Sequence, residues 1–171
     1  MKFYMKYCLI YRFYFCYRSF DHASYGRGKG CGIFSSSSRI MSPQNQKVIT
    51  DKYQLMSLVD NSSIPYQLVL VYASSNCPLQ ELTQDLMRIL QPDMTTVVTG
   101  DFNFGSKDAN PLTRFLNERE FSQLVNWPTH REGGTIDHCY VSKNTRVQLT
   151  RHSPYYSDHD GLCIEFEHFP W

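Results

Sequence analysis

A run of β-branched residues followed by a glycine and two polar residues is the clearest hydrophobic-polar pattern in the chain. Residues 95–99 (TTVVT) are typical of a buried strand. Gly100 is expected to end this strand, with Asp101 and Asn103 following at its carboxyl end. Because alternate residues of an extended chain point the same way, these two side chains are expected to face one mouth of a sheet, where they would suit a metal ion or an activated water. The simpler alternative is a strand that ends in an Asp/Asn turn.

The segment before this strand predicts a β-hairpin. Apolar positions predict one strand over residues 48–59 and a second over residues 66–72, and the polar run 60–63 predicts the turn between them. Segments 35–38 (SSSS) and 42–45 (SPQN) are read as turns. The hairpin is therefore expected to be antiparallel and to lie directly before the first helix.

Helical spacing of leucines predicts a helix over residues 79–90, with Pro78 near its first turn and Pro92 beyond its end. Asn110 and Pro111 are typical of a helix start, with Asn as the N-cap and Pro at the first helical position. Further strands are predicted at 121–125, 135–141, 146–150 and 162–166. Strands that alternate with helices and then give way to β-rich sequence indicate a mixed α/β sandwich.

Composition narrows the functional classes only slightly. The chain has 171 residues, which suits one domain, and its net charge of +1 indicates no particular partner. The six cysteines form no C-x-x-C pair, so they are expected to be small core residues rather than a disulfide or zinc framework. Lys6 and Arg12 interrupt the aromatic start well short of the ~20 apolar residues of a membrane span, and no signal peptide is apparent. An intracellular protein, nuclear or cytoplasmic, is expected.

A glycine-rich basic segment at residues 26–32 could bind phosphate through its backbone amides. Its spacing matches neither a P-loop nor a dinucleotide fingerprint, and no convincing helix follows it. A surface loop before a short strand at residues 33–34 is the favoured interpretation.

Two more polar clusters lie at the ends of predicted strands. Asp137 lies in TIDHCYVS, where a buried charge would need a partner. Residues 157–160 (SDHD) precede the last strand. Taken separately, each cluster has an ordinary explanation, since Asp158 and His159 could cap a loop and Asp137 could pair with His138 or Arg151 on the surface.

Taken together, GDFN, IDHCYVS and SDHD resemble the successive motifs of the endonuclease/exonuclease/phosphatase superfamily. This superfamily includes exonuclease III, apurinic endonucleases, DNase I and the endonuclease domains of non-LTR retrotransposons. The segment 128–142, with LVLVYASSN upstream, is most similar to endonuclease modules of mobile elements. The resemblance covers residues 20–168 and implies an α/β (α+β) fold, a four-layered, DNase I-like sandwich with two packed mixed sheets.

The resemblance also implies roles for residues of the three motifs. Asp101, assisted by Asn103, would orient or deprotonate the attacking water. Asp158, together with Asp101 and Asn103, would hold Mg²⁺ or Mn²⁺, since hard cations prefer such oxygen ligands. The resemblance therefore implies a metal-dependent hydrolase.

The remaining implied roles concern the phosphate. His159 would donate to the scissile phosphate and stabilise the transition state, with Asp137 hydrogen-bonded behind it. Tyr72, at the end of the strand before the first helix, would hold a nonbridging oxygen. Of the other histidines, His130 is the one expected to approach substrate, and the rest are expected on the surface or in the core.

The chain departs from the family pattern at its start. Family members open with a strand ending in Asn and a second strand ending in a metal-binding Glu, whereas the first glutamate here is Glu81, inside a predicted helix. Residues 1–19 are therefore interpreted as an atypical aromatic-basic segment. Residues 20–171 are interpreted as the C-terminal two-thirds of a domain that is N-terminally truncated and lacks its opening strands.

The leading functional hypothesis is a metal-dependent DNA endonuclease, a nickase from a transposable element. An alternative is an inactive remnant that at most binds nucleic acid weakly, using Arg27, Lys29, Arg131 and Arg151. A third possibility is the same fold acting on inositol phosphates or sphingomyelin. The similarity of residues 128–141 to mobile-element sequences disfavours it. No reverse transcriptase or helicase motif lies within the chain, so any such partner domains of a parent polyprotein would lie elsewhere.

Overall fold

The computed structural model describes residues 15–18, 32–35, 42–60, 65–143, 145–153, 155 and 157–166, and every structural statement below concerns these residues. Ten strands and two helices follow one another along this part of the chain. In order they are β1 Phe15–Arg18, β2 Gly32–Ser35, β3 Ser42–Ile49, β4 Tyr53–Asp60, β5 Tyr66–Ala73, α1 Leu79–Ile89, β6 Thr95–Asp101, α2 Pro111–Glu118, β7 Ser122–Gln123, β8 Asp137–Val141, β9 Val147–His152 and β10 Gly161–Phe166.

Six strands form the main sheet, in the order β3-β4-β5-β6-β8-β7. Only β5 and β6 run parallel within it, and α1 makes the crossover between them. The hairpin β9-β10 forms a second sheet, and β1 pairs with β2 in a third. The predicted mixed α/β class is confirmed, although the described helices are few.

Both faces of the main sheet are covered by apolar side chains. On one face Val69 and Val71 pack with Leu82 and Leu86 of α1. On the other face Leu68 packs with apolar side chains of the β9-β10 hairpin. Successive residues of β5 therefore enter opposite cores, which explains why this strand is a continuous apolar run rather than an alternating one.

The predicted helix over residues 79–90 is confirmed to within one residue, and the second helix begins at Pro111, as predicted. In α1 the buried stripe contains Leu82, Leu86 and Ile89, as its spacing predicts. The side chain of Asn110 accepts from the backbone N–H of Thr113, and the Thr113 hydroxyl accepts from the N–H of Asn110. This reciprocal capping satisfies two backbone donors and sets the start of α2.

The prediction of one strand over residues 48–59 was wrong, because a turn at residues 50–52 separates β3 from β4. The hydroxyl of Thr50 accepts from the N–H groups of Lys52 (3.1 Å) and Tyr53 (2.9 Å), so it closes the turn from within. The interpretation of residues 42–45 as a turn was also wrong, since they belong to β3. The β4-β5 pairing is antiparallel as predicted, while the turn residues 61–63 lie outside the described residues.

The predicted strand at residues 121–125 is only two residues long. The side chain of Gln123 accepts from the N–H of Val125 (2.7 Å) and donates to its carbonyl (3.1 Å). A side chain thus satisfies the backbone groups that a longer strand would have paired.

Two further expectations concern the cysteines and the membrane. Cys139 is buried, Cys77 and Cys163 are half-buried, and these three described cysteines are free thiols. Burial raises the pKa of the Cys77 thiol to about 12. No helix in the described part of the chain has the length and apolarity to cross a membrane.

Candidate active site

The last two residues of β6 position the first acidic side chain of the site. The expectation that Gly100 ends this strand was wrong, because β6 continues through it to Asp101. Gly100 has φ +143°, and a Cβ there would lie 1.9 Å from the carbonyl oxygen of Val71 on β5. Glycine is therefore required for the close approach of these two strands.

This close pairing places three of the predicted site residues in one row across the sheet. Asp101 is in register with Tyr72 on β5 and with Asp137 on β8. Residues in register on adjacent strands project to the same face of a sheet. Tyr72 and Asp137, 65 positions apart in the chain, thus flank Asp101.

Asn103 reaches the site by a turn and not by an extended chain. Its φ is +54°, so the expected extended spacing from Asp101 was wrong. Its N–H donates to Asp101 Oδ1 (3.1 Å), and its side-chain Nδ2 donates to the carbonyl of Ala73 (2.6 Å). The amide nitrogen of Asn103 thereby ties this turn to the end of β5, which leaves Oδ1 as the side-chain atom able to contact a metal or water.

A buried hydrogen bond joins Asp137 to His159, which lies just before β10. His159 Nδ1 donates to Asp137 Oδ2 at 2.9 Å, and both side chains are buried. The simpler alternative of a surface pair between Asp137 and Arg151 was wrong, because Arg151 pairs with Asp160 (2.7 Å).

Asp101, Asp137 and His159 form a compact group whose potential ligand atoms lie within 4.8 Å of one another. Asp137 Oδ1 is buried and accepts no hydrogen bond from any described residue. Two buried carboxylates at this distance repel each other unless a cation or proton lies nearby. The site therefore suits a divalent cation, and carboxylate oxygens are the ligands that Mg²⁺ and Mn²⁺ prefer.

Asp158 belongs to a second group, with His130 and His159, whose potential ligand atoms also lie within 4.8 Å of one another. Its side chain is 53% exposed, and Oδ2 lies 3.6 Å from His130 Nε2. The predicted metal ligands Asp101 and Asp158 are thus in different groups, which share His159.

Thr129 is the main site residue that sequence reasoning missed. Its buried hydroxyl accepts from the N–H groups of Ile136 (3.2 Å) and Asp137 (3.0 Å), and its carbonyl accepts from the N–H of Asp160 (2.7 Å). One residue therefore links the strand that carries Asp137 to the segment that carries His159. A threonine in a polar loop gives no local signal of this role.

His138 is a buried core residue with hydrogen bonds to both ring nitrogens, which confirms the prediction that it lies on the surface or in the core. Its Nε2 donates to the carbonyls of Phe104 (3.0 Å) and Thr135 (3.1 Å), and its Nδ1 accepts from the Tyr140 hydroxyl (3.2 Å). Burial lowers the pKa of His138 to about 4, so the ring is neutral at pH 7. It holds the turn containing Asn103 against the start of β8.

Only two of the four basic residues predicted to bind nucleic acid lie within the described residues. Arg131 is exposed and donates from Nη2 to the carbonyl of Ser157 (3.0 Å), while the half-exposed Arg151 pairs with Asp160. Both arginine side chains therefore hold the segment 157–160 in place. Arg27 and Lys29 lie outside the described residues.

Comparison with protein families gives one match, to the sequence model described as the Endonuclease/Exonuclease/phosphatase family, over residues 3–159. Comparison with curated protein sequences gives no match.

Among solved structures, the chain is similar to the endonuclease domain of TRAS1, a telomere-specific non-LTR retrotransposon. The TM-score is 0.55 and the sequence identity 16%, with 72% of this chain and 67% of that chain covered. This similarity supports the DNase I-like fold. Family proteins from Leptotrichia buccalis and Bacteroides thetaiotaomicron also match, with TM-scores of 0.49 and 0.48 and identities of 13% and 14%. The matches cover 67% and 75% of this chain and 53% and 66% of theirs, so the chain spans less than two thirds of each of these two proteins.

Proposed function

Because the chain belongs to the endonuclease/exonuclease/phosphatase family, we propose that it is a divalent-metal-dependent phosphodiesterase that nicks DNA and derives from a transposable element. The observation that carries this proposal is the buried Asp137–His159 pair beside Asp101. Hydrolysis of a phosphodiester requires a water activated on one side of the phosphorus and donors where negative charge develops on the other oxygens. The described residues offer groups for both tasks.

His159 would serve the phosphate. Its Nδ1 is hydrogen-bonded to Asp137, so Nε2 is the ring atom that would contact substrate. Asp137 orients the ring and stabilises the positive charge that the ring carries while Nε2–H donates a hydrogen bond to the phosphate. Burial of both side chains strengthens this interaction, because little water competes for it.

Asp101 would orient the attacking water or accept its proton, with the Asn103 turn fixing the Asp101 carboxylate through its backbone N–H. Tyr72, next to Asp101 in the row, would donate its hydroxyl to a nonbridging oxygen. Asp101 and Asn103 would hold Mg²⁺ or Mn²⁺, and Asp158 would have to move toward Asp101 to join them on the same ion, because the two carboxylates lie in different groups. When bound, such an ion supplies positive charge against the anionic phosphate.

DNA is proposed as the substrate class because segment 128–142 resembles mobile-element endonucleases and because the TRAS1 domain shares the fold. Asp158 and Arg131 are exposed beside the buried pair, where they offer a charged surface to a polymer substrate. A nuclear or cytoplasmic location is part of the same proposal.

One observation favours the alternative of a catalytically inactive remnant. Glu81, the first glutamate of the sequence, is exposed in the first turn of α1, and neither described group of potential metal ligands contains a glutamate. A weaker metal site would lower the rate by orders of magnitude. The remnant would still bind DNA through its exposed basic residues, in a salt-sensitive manner.

Nicking of supercoiled plasmid separates the two candidates. Purified protein is assayed with Mg²⁺ or Mn²⁺ and with EDTA, beside Asp101→Asn and His159→Gln. Asp93→Asn is the matched control, because Asp93 is exposed, lies far from the site before β6, and has φ +67°, which Asn tolerates. Metal-dependent nicking that is lost in both site variants and kept in the control supports the enzyme. DNA binding without nicking supports the remnant.

A further inference from the structure

His130 lies at the mouth of the site and has no role in the proposal above. Its ring packs edge-on against the ring of His159, with centroids 4.7 Å apart and an interplanar angle of 80°. Its backbone forms a short antiparallel bridge with His159. The N–H of the next residue, Arg131, donates to the carbonyl of Asp158 (2.8 Å), which reinforces this bridge. The main chain therefore fixes the two imidazoles relative to each other.

The tautomer of the His130 ring is set by the turn that follows it. The backbone N–H of Glu132 donates to His130 Nδ1 at 3.2 Å. A ring nitrogen that accepts a hydrogen bond carries no proton, so the proton of the neutral ring is on Nε2. The carbonyl of His130 accepts from the N–H of Gly133 (2.9 Å), which closes the same turn. His130 thus presents Nε2–H as a donor.

This donor is not used within the described protein. The nearest acidic atom, Asp158 Oδ2, is 3.6 Å from Nε2, which is beyond hydrogen-bonding distance. Among the described residues no acceptor is hydrogen-bonded to Nε2. The side chain is 19% exposed, so the ring is largely covered but is still reached by solvent.

The same geometry disfavours a metal on His130, although His130, Asp158 and His159 lie within metal-binding distances. A metal on Nε2 would require that nitrogen to lose its proton, while Nδ1 already faces an N–H. The ring would then carry no proton at all, which a neutral imidazole ligand does not do. An anionic acceptor suits this edge better than a cation.

We propose that His130 is a second donor to the substrate phosphate, adding its Nε2–H to the group that His159 offers. This inference rests on the proposed phosphodiesterase function for its substrate. A ring nitrogen of His130 and one of His159 lie within 4.8 Å of each other, and the edge-on rings are close enough for one phosphate group to accept from both side chains. His130 thereby contributes to phosphate binding, while Asp101 and the Asp137–His159 pair carry the chemistry.

A matched pair of substitutions tests the position of the donor. His130→Gln keeps an N–H near the place of Nε2, whereas His130→Asn places its amide nearer to Nδ1. The probe is inorganic phosphate, titrated into metal-free protein while the imidazole ¹⁵N resonances are followed by NMR. We expect saturable shifts of His130 Nε2 in the wild type, affinity about tenfold weaker in His130→Asn, and a smaller loss in His130→Gln.

A kinetic arm separates this inference from the proposed function. In plasmid nicking, His130→Asn is expected to raise KM more than it lowers kcat, and His130→Gln to recover most of the loss. His152 is an exposed histidine on β9, and His152→Gln is the control that should leave KM and kcat unchanged. Wild-type protein that binds phosphate at His130 without nicking DNA would contradict the proposed function but support this inference. Equal phosphate affinity and equal KM in wild type and His130→Asn, or no saturable shift of His130 Nε2 in the wild type, would overturn it.

Discussion

His159 donates a buried hydrogen bond of 2.9 Å to Asp137, although 22 positions separate the two residues in the chain. The contact places an imidazole beside the row formed by Tyr72, Asp101 and Asp137. An Asp–His pair in a site with a second carboxylate nearby supports hydrolysis, because the aspartate fixes the ring and a charged ring stabilises an anionic transition state.

Asp137→Asn should lower the nicking rate by about 10²-fold or more while the fold is retained. The amide keeps the shape of the carboxylate but not its charge, so it no longer stabilises a charged His159. The double variant with His159→Gln should lose little more than either single variant, since the two residues act as a unit. Multiple-turnover nicking kinetics measure both effects.

Asp160→Asn is the control for this cycle, because Asp160 lies on the same segment but pairs with Arg151 and Ser153. It should change the rate much less than Asp137→Asn. Equal losses in Asp137→Asn and Asp160→Asn would mean that the segment, and not the Asp–His pair, is what matters.

Thr129→Val should destabilise the protein and Thr129→Ser should do so less. Valine has the shape of threonine but leaves the buried N–H groups of Ile136 and Asp137 without their acceptor, and each such loss costs about 1–3 kcal/mol. Urea unfolding measures the difference in the free energy of unfolding. Valine and serine variants of equal stability would contradict the proposed link through the hydroxyl.

Gly100→Ala should destabilise the protein severely, because the new Cβ would lie 1.9 Å from the backbone carbonyl of Val71. The two central strands would have to separate there, and the row through Asp101 would be lost. Gly133→Ala is the control, since Gly133 also has a positive φ of +96° but a Cβ there meets nothing within 4 Å. It should cost only the backbone strain, about 1–2 kcal/mol. Thermal unfolding that ranks the two variants the other way would refute the role of this close approach.

Acid should destabilise the protein through His138. Burial lowers its pKa from 6.5 to about 4, so between these values the unfolded chain binds a proton that the folded protein does not. The free energy of unfolding should therefore fall as pH drops from about 6.5 to about 4. This one group should contribute a total of about 3 kcal/mol, since each pKa unit corresponds to about 1.4 kcal/mol.

The measurement is urea unfolding across that pH range in wild type and His138→Gln. The variant lacks the titrating ring and should show a shallower slope. Equal slopes in wild type and His138→Gln would contradict the assignment of a neutral, buried ring.

Local signals were enough to predict the two described helices. The apolar spacing of Leu82 and Leu86 predicts α1, and the Asn110–Pro111 start predicts α2, because each pattern acts within a few residues along the chain. The resemblance of three ordered motifs to a known family added the fold class, which the family match and the TRAS1 structure confirm.

Errors occurred where distant backbone or a single hydroxyl competes with the local pattern. The Thr50 turn divides a segment whose apolar content predicts one strand. Gly100 has the local character of a strand end, yet it lies within β6 because β5 approaches too closely for any side chain. Asn103 turns back because the carbonyl of Ala73, thirty positions earlier, accepts its amide.

The sequence by itself determined the helices, the central strands and the identities of the polar residues that end them, since these depend on neighbours in the chain. Only the tertiary structure decided that Asp137 pairs with His159, that Asp158 groups with His130 and not with Asp101, and that Thr129 links two segments. Those relationships depend on strand register and on buried hydrogen bonds between residues far apart in sequence. No periodicity encodes such contacts, because they form only once the sheet has brought the segments together.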